Sequence, residues 1–127
     1  MADQVYLLLI VLAVLATKHV IFDFVLQTAS QVKNKRIYGH PGGLLHAAGH
    51  AAGSCLAFVI VTPSIAGGIS IVVSELALHY HIDWLKEEIV YRRKLRSENK
   101  AYWLMFGFDQ WLHQMTYIGI AFILIAA

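Results

Sequence analysis

Charge is scarce in this chain. Asp, Glu, Lys and Arg together make up 14% of its 127 residues, where a soluble domain carries about a quarter. With 58% hydrophobic residues, that shortage excludes an ordinary soluble fold and points to an integral membrane protein. Cysteine is nearly absent: Cys55 alone permits no intramolecular disulfide and supplies no thiolate set for a structural zinc site. Inside an apolar stretch it reads as packing filler. The first apolar run does not read as a secretory signal, since no basic segment precedes it, no small-residue cleavage site follows it, and His19 and Asp23 interrupt it. No low-complexity tract and no internal duplication appears.

What the chain does have is apolar length. A membrane span needs about 20 mostly apolar residues, and four stretches qualify by eye: Val5–Thr28, Leu44–Thr62, Ile65–Ile89 and Tyr102–Ala126. Short connections between them favour an up-down-up-down four-helix bundle. The expected fold is therefore all-α, a single four-helix transmembrane domain over residues 1–127. Loop 1–2, from Val32 to Gly43, combines basic residues with Gly39, Pro41, Gly42 and Gly43; Pro63 closes the second span. Glu87 to Lys100 extends the third helix and then lies along the interface.

The cations have a pattern. Nine of the ten Lys and Arg fall in two places, Lys33, Lys35 and Arg36 after span one, and Lys86 through Lys100 at the end of span three. The Pro63-Ser64 connection is uncharged. The positive-inside rule then places both basic loops in the cytoplasm and both termini outside. These clusters read as topology signals and contacts to anionic lipid, not as a nucleic-acid surface. Lys18 is the exception, expected to snorkel its amine toward the cytoplasmic edge. Phe22, Phe24, Trp84, Trp103 and Trp111 read as belt and packing residues.

Each apolar stretch also carries one pair of ionisable residues four apart: His19/Asp23, His46/His50, His79/Asp83 and Asp109/His113. Four residues of α-helix are about 400° of rotation and roughly 6 Å of rise, so each pair shares one helix face. Counted from the inferred cytoplasmic ends, all four pairs fall in one layer of the cytoplasmic half. An Asp near mid-membrane costs about 2.5–3.5 kcal/mol, and a divalent cation shared by the set offsets that cost. These eight residues are the candidate metal ligands. Imidazole plus carboxylate suits Zn²⁺ ahead of Fe²⁺ or Mn²⁺, and the Asp residues argue against haem. Eight ligands exceed the four that one tetrahedral zinc takes, so the site is expected to be binuclear with a bridging Asp. A metal-free polar network is the alternative.

Around this layer, Gln27 and Gln110 are candidate hydrogen-bond donors to the ligands or plain interhelical contacts. Glu75, one turn before His79, is a candidate general acid/base. Lys86 lies where it could meet an anionic substrate. Gly49 and Gly53 form a small-xxx-small pair beside His46 and His50, suited to close helix approach. His40 and His81 fall outside the ligand register.

At these residues the chain resembles a family of short bacterial and phage integral membrane proteins catalogued as a domain of unknown function. The shared blocks are His19…Asp23-Phe24…Gln27, Lys35, His46 and His50, His79…Asp83…Lys86, and Asp109-Gln110…His113. The resemblance spans essentially the whole chain and implies a four-helix membrane fold in a bacterial cell membrane with a common polar site. A looser similarity is to membrane-bound metal-dependent hydrolases. Three functions stay open on the sequence: a metal-dependent hydrolase acting on an anionic lipid or phosphorylated substrate from the cytoplasmic side; a non-catalytic accessory subunit of a larger membrane complex or homo-oligomer, stabilised by its ion; and an ion- or proton-translocating protein. Against translocation, the outer half of the bundle is apolar except for Glu75.

Overall fold

A computed structural model describes residues 2–126, and all the regular elements among them are helices. Helix α1 spans Ala2–Val20 and runs on into a π-helical segment, Ile21–Leu26. The short α2 is Ala29–Asn34, α3 is Pro41–Ser54 followed by a 3₁₀ segment Cys55–Val59, α4 is Ile65–Arg92 and α5 is Lys100–Ala126. The starts follow from capping chemistry. The Thr28 and Gln31 side chains form a reciprocal capping box on α2, His40 Nδ1 accepts from the Gly42 amide with Pro41 in the first turn of α3, and Ser64 accepts from the Gly67 amide on α4.

Four helices close into a ring in which α1 touches α3 and α5, and α4 touches α3 and α5. Their directions alternate: Gly49 of α3 faces Phe22, whereas Gly53, later in α3, faces the earlier Lys18. A Cβ added at Gly53 would fall 2.9 Å from Lys18 Cγ and Cδ and from Phe22 Cε2. Glycine at this position is what lets α1 and α3 close to this distance. Phe22 thus packs inward against α3, not outward as belt.

The ring is divided by depth. At one end Val11, Leu15, Ala57, Ile71, Ile120, Ala121 and Leu124 form an apolar core together with the ring of Tyr117. At the other, the buried side chains are ionisable: Lys18, His19, Lys35, His46, His50, Glu75, His79, Asp83, Asp109 and His113. Large apolar side chains instead cover the outside of every long helix, among them Leu9, Leu45, Ile69, Val73, Leu104 and Phe122.

Among the described residues, two helical segments, Ala2–Leu26 and Ile65–Arg92, are long and apolar enough to cross a membrane. The α-helical part of α3 has only 14 residues, about 21 Å at 1.5 Å per residue. Helix α5 has the length but carries Asp109, Gln110, His113 and Gln114 through its middle. The first span ends at Leu26, not Thr28, and α2 occupies the beginning of what reads as loop 1–2. Cys55 is exposed at the start of the 3₁₀ segment instead of packed within a helix.

Candidate metal centre

Side chains at helical spacing share a face, and here four such faces meet inside the ring. His46 and His50 come from α3, His79 and Asp83 from α4, Asp109 and His113 from α5. Asp23 sits in the π-helical segment after α1, where the wider turn alters the face that a residue presents. One Asp23 oxygen, Oδ1, lies 3.0 Å from both His46 Nε2 and His50 Nε2. His46 Nε2 is 3.3 Å from His79 Nε2. Asp83 directs Oδ2 toward His46 and His79 (3.4 and 3.5 Å) and Oδ1 toward His113 (3.4 Å).

Two groups of donor atoms converge closely enough to hold an ion: Asp23, His46, His50 and His79, and then His79, Asp83 and His113. Within each, the donor atoms lie within 4.8 Å of one another. Ligands bound at 2.0–2.1 Å in a tetrahedron stand about 3.3–3.4 Å apart, close to the separations seen here. The rings are packed hard, with His50 and His79 stacked at 3.8 Å between centroids. That leaves no room between them for a haem.

Asp109 lies outside both groups, yet its Oδ1 is 3.5 Å from His113 Nε2. Both atoms are buried without a hydrogen-bond partner among the described residues. Buried polar atoms are rarely left unpaired, and two adjacent ones mark a place where another group fits.

His19 also lies outside the groups, and its hydrogen bonds explain why. The Lys18 ammonium can only donate, and it donates to Tyr117 Oη (3.2 Å), leaving the Tyr117 proton free for His19 Nδ1 (2.9 Å). His19 Nε2 then carries its own proton and donates toward Gln110 Oε1 (3.0 Å) and Asp23 Oδ2 (3.1 Å). Both nitrogens are engaged by protein, so His19 orients Asp23 and leaves Oδ1 to face the imidazoles.

Lys18 does not snorkel. It is buried, donating to Glu75 Oε1 at 2.6 Å and to the His50 carbonyl at 3.0 Å. An ammonium kept from water needs a counter-charge, and Glu75, on the same buried level, supplies one. Glu75 is thus a salt-bridge partner standing outside both donor groups, with its Oε2 unpartnered. Lys35, which reads as a loop cation, is also buried, 2.8 Å from Asp83 Oδ2. Sequence pattern does not single out Tyr117, Lys18 or Lys35 for this layer; only the block match containing Lys35 hinted at one of them.

The remaining candidates have local partners. Gln27 Nε2 lies 3.2 Å from His46 Nδ1, and Gln110 Nε2 donates to Asp109 Oδ2 at 3.1 Å. Lys86 donates to its neighbour Glu87 at 2.6 Å. His40 caps α3, and His81 bonds the Ala77 carbonyl and Tyr38. A cavity of about 110 Å³ between Phe22, Leu26, Gln27, Gln31, Leu45 and Gly49 reaches His46.

A family model described as "Protein of unknown function (DUF3307)" matches residues 7–127. No curated protein and no solved structure matches the chain.

Proposed function

The chain belongs to the DUF3307 family of unknown function, and from the chemistry of its buried layer we propose that it is a membrane-embedded binuclear metal protein acting as a hydrolase. The observation that carries this reading is the pair of donor groups overlapping at His79. An imidazole nitrogen has one lone pair and binds one ion. With His79 Nε2 given to the first ion, four residues would hold it: Asp23, His46, His50 and His79. The second would be held by Asp83 and His113, with Asp109, outside the donor groups but unpartnered at Oδ1 and 3.5 Å from His113, as a third ligand. Four ligands close a tetrahedral site, whereas three leave a position for water, the division between structural and catalytic zinc. Asp83 would offer Oδ1, on the His113 side, to the second ion, while its Oδ2 is held 2.8 Å from the Lys35 ammonium.

Zinc suits this nitrogen- and oxygen-rich set better than iron or manganese. An ion with an open position lowers the pKa of bound water to about 7 and so supplies hydroxide near neutral pH. With its carboxamide oxygen turned to His46 Nδ1, Gln27 would hold that ring's proton away from the metal side.

Membrane residence is supported by the inverted distribution of side chains, ionisable inside and apolar outside on all four long helices. A soluble monomer seldom exposes contiguous apolar patches beyond a few hundred Å². In this reading α1, α3, α4 and α5 all lie in the bilayer, α3 and its 3₁₀ extension as a short span, with the basic loops in the cytoplasm.

Elemental analysis of the purified full-length protein tests the proposal. The expected result is about two ions per chain. Asp109→Asn or His113→Ala should remove one and retain the other; His50→Ala should lose the four-ligand ion. Hydrolysis of p-nitrophenyl phosphate or p-nitrophenyl acetate should disappear with Asp109→Asn while the first ion remains. Wild-type protein without bound metal would end the proposal, and metal without turnover of either ester would remove its hydrolase part.

A further inference from the structure

A second site lies one turn beyond the His/Asp layer, where α2, the end of α4 and the following turn flank an open pocket of about 540 Å³. Four cations line it: Lys33 from α2, Arg36 from the turn just after α2, and Lys94 and Arg96 from the turn after α4. Its only carboxylate is Glu87, which is already bonded to Lys86 at 2.6 Å. Lys33, Lys94 and Arg96 have no ion-pair partner among the described residues. Arg36 is held in place by stacking 3.8 Å over the Tyr91 ring and by Glu88 at 3.4 Å.

Membrane topology and the α4 helix dipole both favour cations here. Neither accounts for this arrangement. Arg92 and Arg93 already sit at the α4 terminus and do not line the pocket, and half of the lining charge comes from α2 and the turn after it. The backbone adds an independent sign. Helix α4 ends in a Schellman motif, with Leu95 N–H donating to the Val90 carbonyl (2.9 Å) and Lys94 N–H to the Tyr91 carbonyl (3.1 Å). The residue in the left-handed position of that motif is normally glycine. Here it is Lys94, at φ 51°, so backbone strain is retained at a position whose side chain lines the cavity.

We propose that this cavity binds a phosphate-bearing anion, a phosphomonoester or diphosphate, through Lys33, Arg36, Lys94 and Arg96. Several cations from two segments, one of them a stacked guanidinium, match the multiple acceptor oxygens of phosphate. The volume is that of a small-ligand pocket. The source of the phosphate, lipid headgroup or soluble compound, is separable by experiment, and the site stands whether or not the neighbouring layer binds metal.

Detergent-solubilised full-length protein is titrated calorimetrically with pyrophosphate, with dihexanoyl phosphatidic acid and with dihexanoyl phosphatidylcholine. Saturable binding of pyrophosphate supports a soluble ligand; binding of phosphatidic acid alone supports a headgroup. Lys33→Gln/Lys94→Gln/Arg96→Gln should weaken that binding about tenfold or more. Arg92→Gln/Arg93→Gln/Lys100→Gln removes the same charge outside the cavity and should change it less than about threefold. Lys94→Gly should raise the melting temperature while lowering affinity, a split that a purely structural lysine would not give. Equal losses in the two triple variants, binding of phosphatidylcholine as tight as that of phosphatidic acid, or no saturable binding of any probe would overturn the proposal.

Discussion

The two ends of the bundle solve the same packing problem with opposite chemistry. Around Val11, Leu15, Ile71, Ile120 and Leu124 the interior is apolar, and contact between side chains suffices. Around His46, His50, His79 and Asp83 the interior is ionisable, and every group there needs a partner. Lys18, Glu75 and Tyr117 form the seam: the Tyr117 ring joins the apolar core while its hydroxyl joins the polar layer. The polar end therefore depends on completeness, because removing one member strands the others, whereas the apolar end loses stability in proportion to what is removed.

The seam gives the largest expected effect. Lys18→Met strands Glu75 as a buried unpaired charge and should cost about 3–5 kcal/mol, read as a shift in the unfolding midpoint in detergent. Replacing both partners, Lys18→Met with Glu75→Leu, should recover most of that loss. If the double variant is no more stable than the single one, the pair is not the coupled unit described here. In the apolar half, Leu15→Ala should cost about 2–5 kcal/mol by opening a cavity, yet leave metal content per folded chain unchanged. A parallel loss of metal would mean that the two ends are not separable.

The glycines sharpen the comparison at smaller scale. Gly53→Ala pushes a methyl into Lys18 and Phe22, which the structure places 2.9 Å away. Lys18 is tethered at its far end and cannot swing clear, so α1 and α3 must part, at a cost of about 1–3 kcal/mol. Gly107→Ala meets nothing within 4 Å and should stabilise α5 by up to about 1 kcal/mol through helix propensity. A thermal-shift comparison of the two variants checks that sign reversal directly.

Much of the polar layer was legible because helical spacing is a local property. A pair such as His79 and Asp83 shares a face wherever the helix goes, and the depth of each pair follows from counting along its own segment. That reasoning reaches Asp23, His46, His50, His79, Asp83 and His113, all now in the two donor groups. It does not separate His19 from them, since His19 differs only through the Tyr117 hydroxyl and Gln110, both on α5. Nor does it find Lys35, whose approach to Asp83 depends on the break after Leu26 and the placement of α2. Of the four spans read from apolar content, two stand out as long and apolar enough to cross a membrane among the described residues; the 3₁₀ segment after α3 and the polar middle of α5 set the other two apart.

Composition and periodicity alone determined that this chain is helical, that its apolar residues form long segments and that each segment carries a paired ionisable face. Those properties reside in neighbouring residues and need no knowledge of the rest of the chain. Whether Lys18 reaches outward or inward, which nitrogen of His19 carries the proton and which oxygen of Asp83 faces which group were decided only by tertiary structure. Each rests on a partner from another helix, and a buried charge or lone pair takes its role from whatever stands within about 3 Å of it.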